Sequence, residues 1–394
     1  AAQAALQEQA AAARLGNLAA ERLPQLGVRA EATRQSDVTS IPVTLPGVTI
    51  PQPPKDRYQA TLNVDQLVWD GGALRRREDV ERARLAETQA DVRSQLFALR
   101  AEVDEAFFGA FLLQERLGEN AALLRDLEAR LAQVRAQLRA GTALPGDTAS
   151  LLAKVLSVRE DRAEVEAGRR ASLAVLSSLA GRSVGEADVL ALPALADEVA
   201  RVRTAGGPAQ VRARPEYERF AATRDLLARQ ADVVTAQARP QVRAVGQAGV
   251  GRPGPYQQFS RDVHDFWNVG VRVDWRPWDW GVSRRQREEL AVRQQVAGTE
   301  EASFARRLER QVQQDAEAMD RLVSTLETDD RIIALREQVE RQATVQFRER
   351  AITAAQYVDA VTDVYEARVT RRRHRVELAR ARARYLTTLG VEVS

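Results

Sequence analysis

Between Gly72 and about Gly141 the chain contains no proline and only two interior glycines, Gly109 and Gly118, and between Gly281 and about Arg350 it again runs without proline. Glycine and proline are the residues that most readily stop a helix. About seventy uninterrupted residues at 1.5 Å each predict a helix of roughly 100 Å, which no compact globular core can hold. Towards the far end of the first stretch Leu124, Leu127, Leu131, Val134 and Leu138 alternate three- and four-residue spacings. That is a heptad seam, so this end is predicted to pack as a left-handed coiled coil. "RAGTALPGDTAS" breaks the first helix at Gly141, Pro145 and Gly146, and "RERAITAAQ" holds the equivalent place in the second. Return helices follow, to Gly181 and Gly390.

The two stretches are parts of a tandem repeat. "LVWDGGALRRRE" opens the first and "RPWDWGVSRRQRE" the second, so that Trp69, Asp70 and Gly72 correspond to Trp278, Asp279 and Gly281, and Arg75 and Arg76 to Arg284 and Arg285. "LPQLGVRAEA" from Leu23 resembles "RPQVRAVGQAGVG" from Arg239, and "LSSLAG" from Leu176 matches "LTTLGV" from Leu386. The first copy is read as residues 1–214, with strands at about 24–36 and 58–69, a helical hairpin over about 72–181 and a linker at 182–214. The second is read as 215–394, with a helix at about 215–238, strands at about 240–251 and 266–278, and a hairpin over about 281–390.

Before each Trp-Asp marker the period changes to two. Trp267, Val269, Val271, Val273 and Trp275 alternate with Asn268, Gly270, Arg272, Asp274 and Arg276, and Tyr58, Ala60, Leu62 and Val64 with Gln59, Thr61, Asn63 and Asp65. The earlier segments alternate in the same way, Leu26, Val28, Ala30 and Ala32 against Arg29, Glu31 and Thr33. Each copy therefore offers two strands of about ten residues with one apolar face, the length a tilted strand needs to cross a bilayer. Alternation alone fits a soluble sheet with one wet face equally well. Trp267 and Trp275, on one face near the two ends of a strand, favour a membrane, because interfaces select aromatics at both borders of an apolar band. Tyr58 is placed in the same belt. Four strands cannot close a barrel in lipid, since open edges leave backbone groups unpaired. The chain is therefore expected to associate with copies of itself.

Other functions find little material. Fifty-eight basic and 55 acidic residues are interspersed, and the basic ones are arginine except for Lys55 and Lys154. That describes solvated helix faces and no nucleic-acid stripe. "RRRHR" from Arg371 has acidic neighbours and no interleaved aromatics, and is expected to face water or a protein partner. Cysteine is absent, which excludes disulfides, thiolate metal sites and a lipid-bearing cysteine within these residues. His264 and His374 are the only histidines, and no phosphate-binding loop, HExxH or Gly-x-Ser-x-Gly occurs. No enzyme, cofactor or metal is expected. A transmembrane helix is excluded by the lack of an apolar run of about eighteen residues, whereas a membrane β-barrel is not. The chain opens without Met, a basic segment or an apolar segment, so any targeting peptide is expected to have been removed.

In their order, these segments resemble the TolC family of outer-membrane channels over essentially the whole chain. "AAERLPQLGVRAEA" and "AQARPQVRAV" are similar to that family's entries from helix to strand, "LVWDGG" and "RPWDWG" to its strand ends, and "RPEY" at Arg214 to the start of its second copy. "GTALPGD" and "RAITAAQYVDA" look like its two periplasmic turns. The resemblance implies a mainly α fold with membrane β: tandem long helical hairpins forming an α-barrel, and four strands per chain joining a trimeric twelve-stranded β-barrel. It implies an outer-membrane exit duct, extending into the periplasm, of a tripartite efflux or type I secretion system. Its partners would be two further copies, a periplasmic adaptor, an inner-membrane pump or secretion ATPase, and outer-membrane lipid, with no nucleic acid. It also implies a helix and an "NPxL" start before Ala1, which the first copy lacks, so the N-terminus is expected to be trimmed. The alternative is a soluble periplasmic adaptor, which predicts one central hairpin where this sequence has two.

By the same resemblance, acidic residues at the turns line a narrow entrance, for which Asp147 and Asp359 are the candidates, with Gln356 where the family often has another aspartate. Local capping for Asp147 and a solvated helix face for Asp359 are the plainer readings. A polar lock between tyrosine and arginine is known in the family. The matching positions here are Phe347 and Ile352, which cannot form it.

Overall fold

A computed structural model describes residues 2–38, 52–204 and 211–391. Part of the loop between the first two strands and part of the 182–214 linker lie outside the described residues. The elements in chain order are α1 (Ala2–Ala20), β1 (Gln25–Arg34), β2 (Asp56–Trp69), α2 (Ala73–Arg139), α3 (Pro145–Ala180), α4 (Ala196–Thr204), α5 (Pro215–Gln237), β3 (Gln241–Arg252), β4 (His264–Asp274), α6 (Val282–Arg348) and α7 (Ala354–Thr388). Helices α2 and α6 are each 67 residues long, as the proline-free stretches require. The chain divides into two compact units, one of Ala1–Val92 with Glu218–Glu301, the other of Arg93–Tyr217 with Ala302–Ser394. Each draws on both copies of the repeat.

The first unit holds one antiparallel sheet in the order β1-β2-β3-β4. Its register sets like against like. Leu26, Val28 and Ala30 of β1 face Val64, Leu62 and Ala60 of β2, and Ala244, Gly246 and Ala248 of β3 face Val271, Val269 and Trp267 of β4. A one-residue slip would move every apolar side chain to the wrong face, so the alternation fixes the pairing. Between Leu67 and Trp69 the register shifts against Arg243 and Val242. This bulge carries Trp69 to the apolar face, where strict alternation would have put it on the polar one. Strand β4 ends at Asp274, four residues before the expected limit, because its partner β3 begins opposite it at Gln241, just after Pro240, which has no N–H to give a ladder. Helix α1 is the first-copy counterpart of α5, so the helix that the resemblance placed before Ala1 lies largely within the chain. It is tied to α2 by Arg14–Glu81 and Arg22–Glu78, both at 2.7 Å.

In the second unit two apolar clusters hold the helices. One packs Phe108 and Phe111 of α2, Val199 and Val202 of α4, Met319 of α6 and Tyr385, Leu386 and Leu389 at the end of α7. Helix α4 lies in the stretch read as linker, and its two buried valines, three residues apart, make it part of this core. The other cluster surrounds the heptad seam: Leu124, Leu127, Leu131 and Val134 meet Leu151, Val155 and Val158 of α3 and Tyr357 and Val361 of α7. The Arg371–Arg375 stretch is less open than expected. Arg372 pairs with Glu115 and Glu119 of α2, and His374 Nδ1 lies 2.6 Å from Asp329 Oδ2 of α6, so these two side chains tie helices together.

Candidate functional site

The Trp-Asp-Gly marker is where a strand is turned into a helix, and the aspartate does the turning. Asp70 accepts hydrogen bonds from the backbone N–H of Gly72 at 2.9 Å and of Leu74, and Asp279 from those of Gly281 at 2.9 Å and Ser283 at 2.8 Å. The first N–H groups of a helix have no partner within it, so an acceptor here both satisfies them and complements the helix dipole. Ser283 also gives its hydroxyl to Asp279. Chiefly through that bond, and through the backbone bonds beside it, the Asp279 carboxyl is held below its ordinary pKa. The two residues after each aspartate have positive φ: Gly71 at 67° and Gly72 at 87°, Trp280 at 55° and Gly281 at 74°. At Gly71 a side chain is barred twice over, by its φ and because a Cβ would lie 2.5 Å from that of Arg239. Arg239 Nη1 in turn donates to the Gly71 carbonyl at 2.9 Å, joining the β3 entry to this turn. Trp278 and Trp280 stand edge to face at 5.9 Å, and both are exposed.

The sheet's two faces differ as the sequence anticipates. On the apolar face of β4, Trp267, Val269, Val271 and Val273 are between 62% and 77% exposed within the single chain. Tyr58 is exposed on β2, and Trp275, just past the end of β4, gives its indole N–H to the Ala238 carbonyl at 3.3 Å. Three bare valines thus form a row between the exposed Trp267 and Trp275. The opposite face carries a ladder of side-chain amides. Gln247 donates to Asn63 at 2.9 Å and Asn268 to Gln247 at 3.1 Å, crossing three strands, and Arg243 pairs with Asp65 at 2.7 Å. Among the described residues β1 and β4 each have one edge without a partner strand.

The turn residues in the second unit come together around helix starts. Asp147, third residue of α3, accepts from its own cap residue, Leu144, at 3.4 Å, and its other oxygen accepts from Ala354 N, the first residue of α7, at 3.1 Å. One carboxylate thus links the turn of the first copy to that of the second. Gln356 completes a capping box with Thr353, accepting from Thr353 N at 3.0 Å while its own N–H reaches the Thr353 hydroxyl at 3.4 Å. Asp359 is exposed on α7. Phe347 and Ile352 belong to the apolar cluster, and Phe347 stacks on Tyr357 at 5.1 Å with 15° between the rings. Sequence reasoning missed Tyr357. It is 1% exposed, donates its hydroxyl to Asp126 of α2 at 3.1 Å and lies beneath the Arg130 guanidinium. Burial pushes its phenol above the ordinary range. Partial burial of its own, with Asp126 nearby, pushes up the carboxyl of Glu340 on α6. The available signal was the heptad spacing of Tyr357 with Val361 and Val364 on α7.

Residues 2–182 match the family described as "Outer membrane efflux protein". No curated protein sequence matches the chain at a significant level. Solved structures match it end to end. CusC, from a study of transmembrane channel formation, is 16% identical with a TM-score of 0.72, over 99% of this chain and 88% of that one. VceC of Vibrio cholerae, an outer membrane protein, is 14% identical with a TM-score of 0.70, over 100% and 93%. The open-state MtrE outer membrane channel of Neisseria gonorrhoeae is 17% identical with a TM-score of 0.66, over 99% and 85%. The stretch over residues 2–182 is thus similar in sequence to the outer membrane efflux proteins, and the whole length is similar in fold to solved outer-membrane channels.

Proposed function

We propose that three copies of this chain close into one duct, each giving its four strands to a barrel of twelve, and that the duct is the outer-membrane exit of a tripartite efflux or type I secretion system. The observation that carries this reading is the sheet: an apolar face left bare, a polar face satisfied by its own amide ladder, and two unpaired edges. In hydrocarbon an unpaired edge costs several kcal/mol per backbone group, so the four strands need partners, and a closed barrel supplies them. The polar face then lines the lumen. An adaptor would need one central hairpin, and this chain has two in tandem, each preceded by strands. Substrate choice would rest mostly with the inner-membrane partner, since the duct itself is passive. Cross-linking and mass measurement of the detergent-extracted protein test the reading. A trimer is expected, and a monomer with full strand content would sink it.

We place the regulated entrance at the paired turns. Asp147 serves there as a latch between the α3 and α7 starts, and Asp359 as an exposed carboxylate that threefold symmetry multiplies into a ring. Opening requires the adaptor to bind the open packing more tightly than the closed one.

A further inference from the structure

Arg243 of β3 and Arg272 of β4 stand directly opposite each other on the polar face of the sheet. A like-charge pair in that position is unfavourable by itself. One carboxylate serves both. Asp65 of β2 is 2.7 Å from Arg243 Nη1 and 3.9 Å from Arg272 Nη1. The first contact is a hydrogen bond and the second is proximity alone. Among the described residues the Arg272 guanidinium makes no hydrogen bond, and its side chain is 58% exposed. Pinning β2 to β3 takes Arg243 and Asp65 only, so Arg272 is surplus to the structural task.

The register extends the point. Arg29, Arg57, Arg243 and Arg272 share this face with Glu31, Asp65 and Asp274, so cations outnumber carboxylates on it. On one side of the arginine pair the face is neutral, with Val245 opposite Gly270 and then the amides of Asn63, Gln247 and Asn268, and on the other side Gln241 stands opposite Asp274. Arg243 also borders a polar cavity of about 490 Å³ whose wall includes the amides of Gln25 and Gln241, the guanidinium of Arg77 and the carboxylates of Glu21 and Asp70. An oxyanion arriving here meets the Arg272 guanidinium, which no hydrogen bond among the described residues holds, and a second one bonded to Asp65, with Asp274 the next acid along the face.

We propose that Arg272, backed by Arg243, is an anion-binding station on the inner wall of the duct, taking solutes that carry a carboxylate, phosphate or sulfonate. The proposal rests on the channel reading above, which makes the polar face a lumen and repeats the station three times around it. Asp65 sets its strength: it neutralises part of the pair and holds Arg243 in place.

The test is electrical. Purified full-length protein is inserted in planar bilayers under a KCl gradient, and the reversal potential and the block by added citrate are read for the wild type, Arg272→Gln and Asp65→Asn. Arg272→Gln breaks no hydrogen bond of the fold. It is expected to move the reversal potential towards that of potassium and to weaken citrate block, while Asp65→Asn moves the potential towards that of chloride. Channels of Arg272→Gln with unchanged reversal potential and unchanged citrate block overturn the station. A protein that cross-links only as a monomer with full strand content overturns the channel reading, and the station with it.

Discussion

Asp70 and Asp279 show how one residue type recurs because one geometric task recurs. Each follows a strand, Asp70 directly and Asp279 five residues past Asp274, accepts two backbone N–H groups and starts a 67-residue helix. Replacing Asp70 by alanine is expected to cost about 1 kcal/mol in denaturant unfolding, the usual loss of an N-terminal cap. For Asp279 the test is pH. Its folded carboxyl is depressed below that of the unfolded chain, so its contribution is present above the unfolded pKa and is lost as pH falls through the folded value. Ser283→Ala, by removing the largest cause of the depression, should flatten that acid limb of the stability curve. The repeated Trp-Asp-Gly was legible as a junction, but its mechanism was not, since a cap is defined by which N–H groups its carboxylate reaches. Asp147 makes the same point differently. Its sequence offered a turn aspartate or a pore acid, and what only coordinates disclose is the bond to Ala354 of the other copy. If Asp147 is the latch and Asp359 the exposed acid, Asp359→Ala alone should relieve block by multivalent cations, and Asp147→Ala should raise the open probability. Single-channel recordings in which neither change alters block or opening leave both as capping and surface residues.

At the scale of elements, the strongest periodicities were the most readable. The long helices announced themselves by lacking proline, and the strands by alternating over ten residues, so their limits fall within a few positions of those expected. The exceptions have physical reasons. Helix α4 is nine residues with two buried valines, too short for a periodic pattern to stand out from its linker. The bulge at Leu67 and Trp69 leaves no mark, because an extra residue in a strand looks like an ordinary one until its partner is known. The seam of α2 is expected to be sensitive to truncation. Leu127 is fully buried, and Leu127→Ala should cost about 2–5 kcal/mol in unfolding experiments. On β4 the two faces can be told apart by arginine. At Val271 it should cost about 2–4 kcal/mol if that position is at the bilayer midplane, whereas at Gly270 it should alter conductance more than insertion. Equal, unimpaired assembly of both variants would count against a lipid-facing apolar face.

At the scale of the whole molecule, the two compact units cut across the repeat. The sheet joins β2 to β3 through pairs such as Asp65 with Val245, although α2, α3, α4 and α5 intervene in the chain. Closing so large a loop adds little to the entropic cost, which grows only with the logarithm of loop length, but it delays folding, because distant partners must find each other. A chain delivered from its N-terminus presents the β1–β2 hairpin long before β3 exists. Until then the β2 edge that β3 will occupy stands open, with Leu62 and Val64 beside it, and such an edge pairs with whatever strand arrives first. During export, the most vulnerable surface of this protein is therefore one that the finished sheet no longer has.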